Sequence, residues 1–237
     1  IEMESEMSKI KLSNEKIIVT GNGRVGNGIM EIMEESNIRE VSKSDFLTKT
    51  FNEAVFVHLN FMDYNVKKDG SSAVKQEFYS NPELFKSSFM DYAIHADIFI
   101  AGHYYSSGSP YLFTRQDAKS PDFNLKVVAD VSCDINGPVA CTIKPSTISN
   151  PIYGYDKQTE QEVDFRNEDA IAVMAVDNLP CELPKDASED FGNEMMYKIL
   201  PSLIVSDDEQ IIANATICKA GDLTQNFEYL RNYVNGN

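Results

Sequence analysis

Apolar residues along this chain fall into short, largely β-branched runs, separated by stretches in which they recur at helical spacing. Lys16–Thr20 (KIIVT), Ala54–Asn60 (AVFVHLN), Asp97–Ala101 (DIFIA), Leu125–Val131 (LKVVADV) and Ala170–Val176 (AIAVMAV) read as buried strands. Near-continuous apolar runs indicate strands covered on both faces, as in a parallel sheet flanked by helices. After the first run, Val25, Ile29, Ile32 and Met33 share one helical face, and Ile38–Val41 forms the next strand. Asp63–Gly70 is polar and reads as a turn. Ser80-Asn81-Pro82-Glu83 then signals a helix start, with an N-cap residue and a proline in the first turn, and predicts a helix running to about Ile94. Tyr153–Val163 predicts a hairpin around Asp156-Lys157-Gln158-Thr159, and Ala187–Leu203 and Gln225–Asn235 read as mostly helical. The expected fold is α/β, a doubly wound parallel sheet of Rossmann-like type with a C-terminal helical extension. Residues 1–12 are expected to be a linker or residual helix, 13–180 a dinucleotide-binding domain, and 181–237 a C-terminal helical segment.

The first strand runs directly into Gly21-Asn22-Gly23-Arg24-Val25-Gly26, a G-x-G-x-x-G turn that opens a helix. In a dinucleotide site the first glycine makes the tight turn, the second lets backbone approach a pyrophosphate, and the third lets helix pack on strand. The helix N-terminus faces the phosphates with unpaired N–H groups and partial positive charge. Glycine-rich turns of this kind also occur in α/β proteins that bind nothing, so the completed β-turn-α-β unit is what gives the motif weight. Residues 134–151, with prolines at 138, 145 and 151, form a long loop leaving the carboxyl end of a parallel strand, where ligands sit in open α/β sheets.

Length and charge narrow the partners. A chain of 237 residues, 42% hydrophobic, can bury a sizeable core. Its 21 basic and 37 acidic residues leave a net charge of -16 with no basic patch, which disfavours nucleic acid and anionic membrane. Cysteines at 133, 141, 181 and 218 form no C-x-x-C pair and lack a histidine at zinc spacing, so reduced thiols, no metal and a cytoplasmic location are expected. The chain begins at Ile1 rather than methionine, which reads as a piece of a longer protein lacking an N-terminal region.

Four further segments carry a family resemblance: Asn81-Pro82-Glu83, Leu112-Phe113-Thr114-Arg115-Gln116-Asp117-Ala118, Val128-Ala129-Asp130-Val131-Ser132-Cys133-Asp134, and Val176-Asp177-Asn178-Leu179-Pro180 followed by Leu183-Pro184 and Ala187-Ser188. In this order they resemble the lysine-forming saccharopine dehydrogenases, and more closely the lysine-2-oxoglutarate reductase half of the bifunctional lysine-degrading enzyme. The resemblance implies an NAD- or NADP-dependent oxidoreductase that transfers hydride between nicotinamide and the imine or secondary amine joining lysine to 2-oxoglutarate. It implies an active site between an N-terminal domain and the cofactor domain. No region here matches that N-terminal domain, source of the family's acid-base lysine and histidine, so the catalytic residues are unknown. The kinship of the family with alanine dehydrogenase keeps another amino acid substrate open, and a non-catalytic dinucleotide-binding module is the alternative.

By the same resemblance Gly21, Gly23, Arg24, Val25 and Gly26 match the phosphate turn, while Tyr104, Val131 and Val176-Asp177-Asn178-Leu179 match cofactor contacts. Ser132 and Asp134 lie where the family holds the amino acid end of its small-molecule substrate. Where NAD-using members close the second strand with an acid for the ribose, a gapless reading puts Ser42, then Lys43, which would tolerate a 2'-phosphate. The segment after the last strand is expected to pack on the missing N-terminal domain, which leaves an apolar face and admits a homo-oligomer. His103 reads as a hydrogen-bonded loop residue or a proton shuttle, His58 and His95 as structural, and Cys133 as packing.

Overall fold

The computed structural model describes residues 6–7, 9–106 and 108–236; the remainder of the expected N-terminal linker, residues 1–5 and 8, lies outside the described residues. The chain divides into two compact units, Ile1–Asn178 and Leu179–Asn237. In the first, β1 (Lys16–Thr20), α1 (Arg24–Glu35), β2 (Arg39–Glu40), α2 (Lys43–Thr48) and β3 (Val55–Leu59) follow in sequence. An excursion then carries β4 (Asn65–Lys67), α3 (Lys75–Ser80), β5 (Phe85–Ser87) and α4 (Met90–Ala93). The sheet resumes with β6 (Ile98–Ala101), followed by α5 (Arg115–Ala118), β7 (Val127–Asp130), β8 (Ile152–Asp156), β9 (Glu162–Val163) and β10 (Ala170–Met174).

The sheet order is β2-β3-β1-β6-β7-β10-β8-β9. Strands β2 through β10 in that order pair in parallel, and the hairpin β8–β9 adds two antiparallel strands at the far edge. The fold is Rossmann-like. Strand β1 pairs with β3 on one side (Lys16 opposite Val55) and with β6 on the other (Ile17 opposite Ile98), so the chain reverses its direction of winding between β1 and β6. Side chains alternate across β1. Ile17 and Val19 pack with Met33 of α1 and Phe56, whereas Ile18 joins Val57, Leu59, Phe89 and Phe99 on the opposite face. Each such fully buried large side chain contributes about 1.5–3 kcal/mol, which is why both faces must be covered.

Three glycines bring backbone onto backbone at the point of reversal. Gly21 has φ of +110°, a conformation closed to other residues without strain, and a Cβ there would lie 2.2 Å from the Gly102 carbonyl oxygen. A Cβ at Gly26 would lie 2.1 Å from the Gly21 carbonyl oxygen. The loop after β6, the turn after β1 and the first turn of α1 are therefore in direct contact.

The structure corrects two expectations. The helix expected from Ser80 to Ile94 is absent: α3 ends at Ser80, Pro82–Leu84 is a 3-10 turn, and Phe85–Ser87 pairs antiparallel with Asn65–Lys67. Pro82 holds Asn81 out of the helical region (φ -143°, ψ 60°), and the excursion folds back as a hairpin of its own. The polar stretch expected as a turn at Asp63–Gly70 supplies the partner strand. In addition, the last parallel strand stops at Met174, after which Ser146 and Val176 form an isolated bridge.

The second unit contains α6 (Pro184–Glu194), a π turn (Met195–Ile199) and α7 (Leu200–Ile204), then α8 (Ile211–Ala215). A two-residue hairpin, β11 (Cys218–Lys219) with β12 (Asp222–Leu223), precedes a 3-10 turn (Gln225–Leu230) and α9 (Arg231–Val234). Pro201, the second residue after the π turn, has no N–H to donate to it. Arg231 ties this end together through Asp222 at 2.5 Å and Glu228 at 2.7 Å.

Gly26→Ala forces a methyl group into the Gly21 carbonyl, and a loss of about 3 kcal/mol is expected from such overpacking. A urea unfolding curve on the variant and the parent chain measures it.

Candidate functional site

A cleft of about 1000 Å3 opens at the carboxyl ends of β1, β6 and β7. Its floor is the turn Gly21–Val25. One wall is the start of the excursion, Asn60, Phe61, Met62, Tyr64 and Asn65; the other is formed by Gly102–Ser106 and Val131, Ser132 and Asp134. This is the position at which open α/β sheets take ligands, set by the reversal between β1 and β6.

The floor is built for an anion. Gly23 is the N-cap of α1 and makes no side-chain capping bond, and no acidic residue lies in the first turn. The leading N–H groups of a twelve-residue helix, with their partial positive charge, stay available to a ligand. A Cβ at Gly23 would meet nothing within 4 Å, so the space above the turn is open while that beneath it is filled. His58, on β3, donates from Nε2 to the Gly21 carbonyl at 2.6 Å and pins the turn from the side. Arg24 adds a cation and has no carboxylate partner among the described residues. These features fit the pyrophosphate of a dinucleotide.

The far wall is organised by Asp130, the last residue of β7, which is fully buried. Its carboxylate accepts from Ser132 Oγ at 2.6 Å, the Cys133 N–H at 3.2 Å and Thr142 Oγ1 at 2.6 Å. Three donors offset the cost of burying the charge. They also hold Cys133 at φ of +45°, a left-handed conformation for a residue with a side chain. Because the Ser132 proton is committed to Asp130, its oxygen turns only lone pairs to the cleft and can accept from a hydroxyl, amide or ammonium. Burial, and then the charge of Asp130, raise the Asp134 carboxyl above the usual range. Burial, with Asp130, Asp134 and Asp177 adding to it, raises the Cys133 thiol, which disfavours a thiolate nucleophile there.

His103 is a buried member of the cleft wall. Its Nδ1 lies 2.9 Å from Thr20 Oγ1, its ring meets Tyr64 edge-on, and Nε2 has no partner among the described residues. Burial pulls its pKa down to about 4, with Asp130 opposing. The imidazole is neutral near pH 7, unlike a shuttle poised at that pH.

Of the residues singled out in the sequence, Gly21, Gly23, Arg24, Val25, Tyr104, Val131, Ser132 and Asp134 come together on the cleft wall, with Gly26 packed beneath Gly21. Ser42 does not. It caps α2, accepting from the Asp45 N–H, and its neighbour Lys43 pairs with Asp63 at 2.5 Å. The reason is sheet order: β2 lies outside β3, so the strand ending beside the phosphate turn is β3, followed by Asn60. Val176, Asp177 and Asn178 are also absent from the wall, and Leu179 opens the second unit. Sequence reading missed Asn60, Phe61, Lys75 and Tyr79, all on the wall, and Asp130 beneath it. An acid at the carboxyl end of a parallel strand, two residues before a candidate serine, was a readable signal for Asp130. Lys75 and Tyr79 reach the cleft through a hairpin that has no local signature.

Fold and cleft together are those of a dinucleotide-binding α/β domain. No protein-family model matches the chain. Among characterised proteins it is 28% identical over 249 residues to the mitochondrial alpha-aminoadipic semialdehyde synthase of Mus musculus, covering 90% of this chain and 26% of that protein. It is 25% identical over 237 residues to the alpha-aminoadipic semialdehyde synthase of Arabidopsis thaliana, covering 90% of this chain and 22% of that one. With the NAD(+), L-lysine-forming saccharopine dehydrogenase of Neurospora crassa it shares 32% identity over 115 residues, 48% of this chain and 29% of the relative. The chain is thus homologous to the saccharopine dehydrogenase and semialdehyde synthase proteins, and spans about a quarter of the length of the curated relatives it matches. Among the described residues no helix is long and apolar enough to cross a membrane.

His103 makes stability depend on pH in a defined direction. Its unfolded pKa is about 6.5 and its folded value about 4, so between the two the unfolded chain binds the extra proton. The contribution is complete above pH 6.5 and is lost as pH falls toward 4, by about 2 kcal/mol between pH 7 and 5. His103→Asn, which keeps a partner for Thr20, should flatten that slope in urea midpoints measured at the two pH values.

Proposed function

We propose that this chain is the cofactor-binding part of an NAD(P)-dependent oxidoreductase of the saccharopine dehydrogenase type, acting on the imine or secondary amine that links lysine to 2-oxoglutarate. The observation that carries the reading is the turn Gly21–Gly26, closed by backbone contact below and open above Gly23, at the reversal point of a Rossmann-like sheet. Homology with proteins named as saccharopine dehydrogenase and semialdehyde synthase supplies the reaction class. The bound nicotinamide supplies or takes the hydride. The residues of this chain bind and orient: the α1 N-terminus and Arg24 hold the pyrophosphate, Val131 and Tyr104 flank the nicotinamide half, and Ser132 and Asp134 receive the amino group of the substrate. Lone pairs on Ser132 and the carboxylate of Asp134 suit an ammonium donor.

We take NADP(H) as the preferred cofactor. Asn60, the residue after the strand beside the turn, is uncharged, and the nearest acid, Asp63, is occupied by Lys43 and by the Asn60 N–H at 2.9 Å. No carboxylate of the cleft wall there would repel a 2'-phosphate.

Titration of the chain with NADPH and NADH, followed by nicotinamide fluorescence, tests the reading. Saturable binding with NADPH the tighter is expected, and binding of neither would overturn it. Gly23→Ala places a methyl in the open space and should weaken binding by at least tenfold, with a stability change below about 1 kcal/mol. Binding without turnover in the presence of lysine and 2-oxoglutarate, by a chain that includes the preceding region, would instead favour the non-catalytic module.

A further inference from the structure

The excursion between β3 and β6 contributes side chains to the cleft that the preceding account leaves without a task. Phe61 and Tyr79 face each other with ring centroids 5.4 Å apart and planes tilted by 34°. Phe78, buried behind them, lies 5.2 Å from Phe61 and is itself seated edge-on against Phe85 at 5.1 Å, so the pair has a rigid backing. Tyr79 is 58% exposed despite this, an aromatic surface held open toward the cleft. Lys75 Nζ stands 5.8 Å from both ring centroids.

The charge pattern separates Lys75 from its neighbours. Lys67 pairs with Glu77 at 2.7 Å and Lys43 with Asp63 at 2.5 Å, whereas Lys75 lines the cleft and has no carboxylate partner among the described residues. The strand leading into this segment, β3, is the immediate neighbour of β1, so the excursion begins beside the phosphate turn. In dinucleotide folds the adenosine half runs over the end of that neighbouring strand.

We propose that Phe61, Lys75 and Tyr79 form a subsite for 2'-phosphoadenosine, the rings stacking on adenine and the Lys75 ammonium pairing with the 2'-phosphate. The subsite rests on the dinucleotide reading above and names the residues that set cofactor choice. Stacking of a base on an aromatic side chain discriminates little between cofactors, since both carry adenine. The charge-assisted bond to phosphate discriminates fully, because only one of them has it.

Lys75→Gln and Tyr79→Ala in the full chain separate the two roles, with circular dichroism and thermal melts establishing that each variant is folded. NADPH and NADH are titrated by fluorescence, and adenosine 2',5'-bisphosphate and AMP by calorimetry. Lys75→Gln is expected to weaken NADPH and the bisphosphate about tenfold or more, to leave NADH and AMP within twofold, and to reduce the salt dependence of NADPH binding. Tyr79→Ala is expected to weaken NADPH and NADH alike, by about tenfold. If the parent chain binds both dinucleotides and Lys75→Gln changes neither, or changes both equally, the subsite is overturned while the dinucleotide reading stands. If the parent chain binds none of the four ligands, both fall.

Discussion

Backbone packed on backbone at the reversal of the sheet is the contact on which the remaining architecture depends. Gly21, Gly26 and Gly102 leave no room for a Cβ between β1, α1 and β6, and this brings the first turn of α1 directly over the strand ends. The uncapped helix N-terminus, the open space above Gly23 and the bond from His58 to the Gly21 carbonyl all follow from that approach. A side chain at any of the three positions would push the helix away and enlarge the floor of the cleft. The aliphatic layers on either face of β1 then hold the approach in place.

The opposite wall depends on a different interaction, a buried carboxylate with no cationic partner among the described residues. Asp130 carries its charge among three donors, two of them hydroxyl groups ten residues apart on the connection from β7 to β8, so the start and the middle of that long segment are joined through one side chain. That long segment is far from slack: Val139, Cys141 and Thr142 are buried, and Tyr153 OH bonds the Cys141 carbonyl at 2.9 Å. Polar networks of this kind are stable when every member is satisfied and fix a single geometry. Here that geometry includes the direction of the Ser132 lone pairs.

Much of the sheet was legible because its strands are short, apolar and punctuated by glycine, and because the pattern around Gly21 combines a strand, a turn and a helix in immediate succession. What periodicity could not carry was lateral order. Ile38–Val41 and Ala54–Asn60 both read as strands, yet nothing local to either says which lies against β1, and that choice puts Asn60 rather than Ser42 at the end of the strand beside the glycine turn. The excursion was hidden for a related reason. Asn65–Lys67 and Phe85–Ser87 are three residues each, too short to alternate, and they exist as strands through pairing across some twenty residues. Lys75 and Tyr79 reach the cleft by that pairing, so their place on its wall could be read only from the folded chain.

Both margins of the large sheet are cut short. At one side β2 exposes two residues, Arg39 and Glu40, with Arg39 held by Glu53 at 2.7 Å. At the other, β9 is again two residues, Glu162 and Val163, with Glu162 held by Lys144 at 2.7 Å. Edges this brief and charged offer no ladder onto which another strand could zip. The large sheet is therefore protected against growing from molecule to molecule through its own margins.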